Sequence, residues 1–171
     1  LSLYFDPADK SWRGSSNNID IRSAGPAISS YFASINEELR PALVNISPEM
    51  VNSEYSVYWQ ELITELRRIF PDAAIGYSTH YTSPVLRDGY PVPPFFAQLD
   101  YIGINLIAGA HSNIVYEQAL LNHNIIAAGH NLASRIEEET GKKVGLLFTE
   151  YGFPSHSEAA SSPYDFNRGT A

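Results

Sequence analysis

Two carboxylates set the chemistry that this 171-residue sequence could perform: Glu49, in Ser47-Pro48-Glu49-Met50-Val51, and Glu150, in Phe148-Thr149-Glu150-Tyr151-Gly152-Phe153. They stand 101 positions apart, an interval that holds three strand-to-helix repeats of about 34 residues, the size of a βαβ unit. Asp6, His80 and Asn105 also fall at or just past the ends of short apolar runs, together with the aromatics Trp12, Tyr77, Tyr81 and Tyr151. Carboxylates and amides bind sugar hydroxyls and aromatic faces stack on the apolar face of a sugar ring, so this set suits a carbohydrate. Cleaving a glycosidic bond calls for two carboxyl groups. In the retaining chemistry one is acid/base and the other nucleophile, roughly 5 to 5.5 Å apart.

Each of these residues has a plainer reading. Ser47-Pro48-Glu49 is also how a helix starts, with Ser as N-cap, Pro in the first helical position and Glu favoured by the helix dipole. Glu150 could be an ion-paired carboxylate closing a strand, and Trp12-Arg13-Gly14 a turn with its indole stacked on Arg13. Tyr77, Tyr81 and Tyr151 could be core or rim aromatics.

Other chemistries find little footing. The chain has no cysteine, so thiol nucleophiles and thiolate metal sites are excluded. Its five histidines lack the spacing of a helical zinc site, which predicts no metal and no cofactor. Ser47 and Ser78 have no nucleophile-elbow context, and no glycine-rich phosphate loop occurs. With 19 acidic against 11 basic residues and a net charge of -8, nucleic acid is not an expected partner. No run approaches the roughly 20 apolar residues of a membrane span. The first residues, Leu1-Ser2-Leu3-Tyr4-Phe5, read as those of a mature product or a fragment, with a secreted or cell-surface location slightly favoured. Asn45-Ile46-Ser47 matches a glycosylation sequon, but inside an expected buried strand.

The elements that must position these residues follow from hydrophobic periodicity. Strands are expected at Leu1–Phe5, Ala42–Ile46, Ala73–Tyr77, Leu99–Leu106 and Val144–Phe148. Between them, helices are expected at Ala27–Leu39, at Val57–Phe70, where Trp59, Leu62, Ile63, Leu66, Ile69 and Phe70 form one stripe, and at about Val115–Glu139, with a break near Gly129. A long loop is expected from Ser155 to Pro163. Strands alternating with amphipathic helices predict an α/β fold with a parallel sheet, in which chemistry sits at the C-terminal ends of the strands. The length falls well short of the roughly 250 residues of a complete (β/α)8 barrel.

Several segments together resemble a known family. Phe148-Thr149-Glu150-Tyr151-Gly152-Phe153 resembles the strand-seven nucleophile motif of clan A glycoside hydrolases. Leu3-Tyr4-Phe5-Asp6-Pro7 with Ser11-Trp12-Arg13-Gly14 is similar to the third strand and following loop of glycoside hydrolase family 113, which contains β-mannanases. Ser47-Pro48-Glu49-Met50-Val51 stands where that family has its strand-four motif, and Leu99-Asp100-Tyr101-Ile102-Gly103-Ile104-Asn105 resembles its sixth strand. The resemblance implies that residues 1–171 form one piece of a (β/α)8 TIM barrel, incomplete, covering strands three to seven. It further implies Glu49 as acid/base and Glu150 as nucleophile, with Trp12, Arg13, Tyr77, His80, Tyr81, Asn105 and Tyr151 near the substrate. A non-catalytic sugar-binding or structural barrel module would use the same residue types, and that alternative stays open.

Overall fold

A computed structural model of the chain describes residues 1–4, 21–32, 40–46, 49–106 and 114–151. Five strands, β1 (Ser2–Leu3), β2 (Leu43–Ile46), β3 (Ala74–His80), β4 (Tyr101–Leu106) and β5 (Gly145–Tyr151), form one sheet in the order β1-β2-β3-β4-β5. Every pairing is parallel. Parallel neighbours need a crossover, and α1 (Ala24–Phe32), α2 (Tyr58–Ile69) and α3 (Ile114–Thr140) supply helices in those connections. The α/β class with a parallel sheet is what the alternating pattern predicted, and the architecture is that of a partial α/β barrel, as the family resemblance implied.

The pleat sorts the sheet into two chemically different faces. Val44, Ile46, Ile75, Tyr77, Ile102, Ile104 and Leu106 point outward and form one buried cluster with Trp59, Leu62, Ile63 and Leu66 of α2 and Leu132 and Ile136 of α3. The alternate positions, Asn45, Gly76, Ser78, Tyr101, Gly103, Asn105 and Thr149, face the inside of the curved sheet. There Gly76 leaves room for the Tyr101 ring and Gly103 for the Ser78 and Thr149 hydroxyls, since a Cβ on Gly76 would lie 2.2 Å from that ring and one on Gly103 would lie 2.2 Å from Ser78 Oγ and 2.8 Å from Thr149 Oγ1.

α2 matches its expected stripe, with Trp59, Leu62, Ile63 and Leu66 buried, Glu61 in the first turn and Arg67 and Arg68 in the last, as the helix dipole favours. Arg67 leaves the helix end to bind Asp100 at 2.6 Å, and Lys142 reaches the other Asp100 oxygen at 3.3 Å. Burial alone would raise the Asp100 carboxyl, but the Ile75 N–H and these two cations hold it below the usual range. This cluster locks the N-terminal ends of β3 and β4, the end of such a fold that serves stability.

Four expectations are revised, the first being β5, which starts at Gly145 and runs on to Tyr151 instead of stopping at Phe148. α1 starts at Ala24, ahead of Ala27, with Pro26 accommodated in its first turn, and residues 33–39 lie outside the described residues. β3 runs on to His80 instead of stopping at Tyr77, because β4 pairs with it as far as Asn105. α3 is continuous through Gly129, where the missing side chain admits Ile104 and Leu146, placed 2.8 and 3.0 Å from where a Cβ would stand. The helix accepts the glycine for packing rather than breaking at it. The loop expected at 155–163 lies outside the described residues, and no helix among the described residues is long and apolar enough to cross a membrane.

Candidate active site

The strands deliver their polar residues to one end of the sheet at one level. His80 of β3 pairs with Asn105 of β4, and Asn105 with Glu150 of β5. The β4–β5 register shifts between Ile104 and Asn105, because Phe148 faces Ile104 whereas Glu150 faces Asn105. Thr149 is thereby the extra residue of a bulge, a device that re-aims side chains next to functional sites. On the other side of His80, Glu49 follows β2, and its N–H donates to the Ser78 carbonyl at 2.8 Å.

Glu49 is not part of a helix. Its φ of 70° lies in the left-handed region, and the short 3-10 turn begins after it, at Val51. The helix-start reading of Ser47-Pro48-Glu49 therefore gives way to a carboxylate on a turn at the strand end, with Ser47 and Pro48 outside the described residues.

The site floor is a chain of polar side chains on the inner face. Ser78 Oγ lies 2.8 Å from both Asn45 Oδ1 and Thr149 Oγ1, and Thr149 Oγ1 donates to Asn105 Oδ1 at 2.7 Å. Four adjacent strands are thus tied together below the carboxylates. Asn45, the sequon residue, is buried in this chain. Asn105 is fully buried as well, and its Nδ2 has no partner among the described residues.

His80 stands above this floor, mostly buried, with its ring against Tyr81 at 4.5 Å between centroids. The Thr82 N–H donates to Nδ1 at 3.3 Å and the Thr82 hydroxyl lies 2.6 Å from the same nitrogen. Nδ1 therefore accepts, which leaves Nε2 to carry the proton in the neutral ring. Burial pushes the imidazole pKa down while the negative charge of Glu49 pulls it back up. Glu49 and His80 are thus electrostatic neighbours.

The curl of the sheet brings in a residue that the sequence did not single out. β1 and β5 are four strand spacings apart, about 19 Å in a flat sheet. Yet the Tyr4 hydroxyl, just past β1, lies 3.5 Å from Glu150 Oε1 as a potential donor. Only a barrel-like curvature closes that gap.

The second residue missed by sequence reasoning is Glu54. Its side chain is 1% exposed and accepts from Thr79 Oγ1 at 2.6 Å, Ser83 Oγ at 2.9 and 3.1 Å, and Tyr77 OH at 3.3 Å. Burial raises its pKa to about 7 against the lowering effect of those hydroxyls. A shift of that kind often flags a general acid. Geometry decides otherwise, because Tyr77 and Thr79 point to the outer, helix-covered face of β3, away from the mouth.

The expected site residues therefore divide. Glu49, His80, Tyr81, Asn105 and Glu150 gather at the C-terminal ends of β2 to β5. Tyr77 does not: it is fully buried on the outer face, packed edge-on against Trp59 and Phe95 and bonded to Glu54. Its placement near the sugar followed from ending β3 at Tyr77, and the longer strand removes it from the cleft. Tyr151 closes β5 opposite Leu106. Asp6, Trp12 and Arg13 lie outside the described residues.

A curved parallel sheet with helices in its crossovers and carboxylates at the C-terminal strand ends defines a partial α/β barrel. Solved structures similar to this chain include β-mannanases of glycoside hydrolase family 113. One, a β-1,4-mannanase solved as a complex, matches with a TM-score of 0.64 at 20% identity over 98% of this chain and 51% of its own. A second structure of a β-1,4-mannanase from the family gives 0.63 at 18% identity over 96% and 50%. The β-mannanase from Alicyclobacillus acidocaldarius, in complex with ManMIm, gives 0.67 at 16% identity over 95% and 49%. The chain spans about half the length of these structures. No protein-family profile and no curated protein sequence matches it.

Proposed function

We propose that the protein is a retaining glycoside hydrolase acting on a β-linked, mannan-like polysaccharide or oligosaccharide. Glu150 attacks the anomeric carbon and forms the glycosyl-enzyme. Glu49 protonates the leaving oxygen and then takes a proton from the water that releases the sugar. The single observation that carries this reading is the placement of Glu49 and Glu150 at the same end of a β-mannanase-like curved sheet, flanking His80 and Asn105. His80 and Tyr81 offer a polar edge and an aromatic face for the sugar at the mouth, with Trp12, Arg13 and Tyr151 as further binding residues. The sheet floor below keeps the two carboxylates from moving independently.

The test is Glu150→Gln in the full-length polypeptide, assayed on β-mannan and on β-mannosides. Hydrolysis is expected to vanish while thermal unfolding stays unchanged, because the substitution keeps shape and removes only the nucleophilic charge. Undiminished turnover would sink the nucleophile assignment. Sugar binding with no hydrolysis by the unaltered protein would favour the non-catalytic alternative.

A further inference from the structure

We propose that Glu54 is a positioning residue for Glu49, clamping the turn after β2 onto β3 so that the acid/base carboxyl is held at the mouth. The inference rests on the reading of Glu49 as acid/base. Glu49 is the one described non-glycine residue with a positive φ, a conformation that is unfavourable for a side-chain-bearing residue and persists only where its surroundings fix it. Two anchors do so here. The Glu49 N–H binds the carbonyl of Ser78, and five residues later the Glu54 carboxyl binds the hydroxyl of Thr79, the very next residue of β3. The chain from 49 to 54 is thereby stitched to β3 at both ends.

The rest of the turn supports the same clamp. Met50 is fully buried between the anchors, and the Tyr55 hydroxyl donates to the Pro91 carbonyl at 2.5 Å just beyond them. Ser83 and Tyr77 complete the grip on Glu54, so its two oxygens are occupied by three hydroxyl donors. A buried carboxyl so enclosed cannot touch substrate. Replacing it by an apolar side chain would leave buried hydroxyls unpaired and release one end of the turn.

The experiment separates misplacement of an acid from general damage. General acid help is needed for a poor leaving group and hardly at all for a good one. In the full-length polypeptide, Glu54→Leu is expected to lower kcat/KM for phenyl β-mannoside about 10- to 100-fold while leaving dinitrophenyl β-mannoside within about 3-fold. Glu54→Gln, which keeps an acceptor oxygen, should restore most of the loss. If Glu54→Leu does not fold, Thr79→Val and Ser83→Ala must show the same leaving-group dependence. Equal loss on both substrates, or no loss, in a folded variant overturns the proposal. Glu49→Ala run in parallel tells the two failures apart: if it lacks the leaving-group dependence, the acid/base reading is wrong. An activity-independent check is a crystal structure of Glu54→Leu, or of Thr79→Val or Ser83→Ala if Glu54→Leu does not fold. Glu49 should leave the left-handed region, and retention of its φ would also overturn the proposal.

Discussion

Glu54 ties stability to pH at the level of one residue. Its carboxyl has a folded-state pKa of about 7, against 4.5 for the same group in the unfolded chain. The folded protein binds this proton more tightly, so the group's contribution is complete below pH 4.5 and is lost as pH rises through 7. The size of the loss is on the order of 3 kcal/mol. Urea unfolding of wild type and Glu54→Gln between pH 4 and pH 8 should therefore diverge in slope, the variant being the flatter. Parallel curves would mean that folding leaves the Glu54 pKa unshifted. Nothing in Asn52-Ser53-Glu54-Tyr55-Ser56 betrays such a residue, because the run looks like a solvated turn. The hydroxyls that bury it, on Tyr77, Thr79 and Ser83, are 23 to 29 positions away and meet it only through the register of β3. Glu49 and Glu150, by contrast, were legible because each directly follows or ends a short apolar run.

Among the elements, α2 was readable from its stripe and its Pro71 stop, and the strands from their apolar runs, because burial is written in periodicity. What periodicity leaves open is where a buried strand ends. Three more residues on β3 decided that Tyr77 faces helices and His80 faces the mouth. The inner face depends on glycines whose need is invisible until strands are paired. Gly103→Ala would put a methyl 2.2 Å from Ser78 Oγ and 2.7 Å from Thr149, both already bound to neighbours. We expect a loss of about 2 to 3 kcal/mol, read as a lower urea midpoint at unchanged m. An unaltered midpoint would mean that the floor rearranges freely and does not fix the carboxylates.

For the whole molecule, the sheet keeps β1 and β5 as its two outer strands among the described residues. β5 carries Leu147 and Phe148 at 39% and 41% exposure, and β1 is followed by the exposed Tyr4. Open, apolar parallel edges pair with whatever strand reaches them. The 171-residue chain by itself is accordingly expected to associate with rising concentration in sedimentation velocity. Leu147→Lys with Phe148→Lys should shift it toward monomer, whereas a wild-type monomer at every concentration would show that the edges are covered in solution.

The strictly sequential order of the sheet also bears on how the chain reaches its fold. The partners Gly76 and Tyr101 are 25 residues apart, and Tyr101 and Gly145 are 44 apart. Closing loops of those lengths differs by only about 0.5 kcal/mol in entropy. Topology therefore imposes no order of assembly, and each new strand can add to the one before it as the polypeptide leaves the ribosome. The choice of first pair falls to side chains, and the Trp59–Tyr77–Phe95–Phe96 cluster around β3 makes the middle of the sheet its natural starting point.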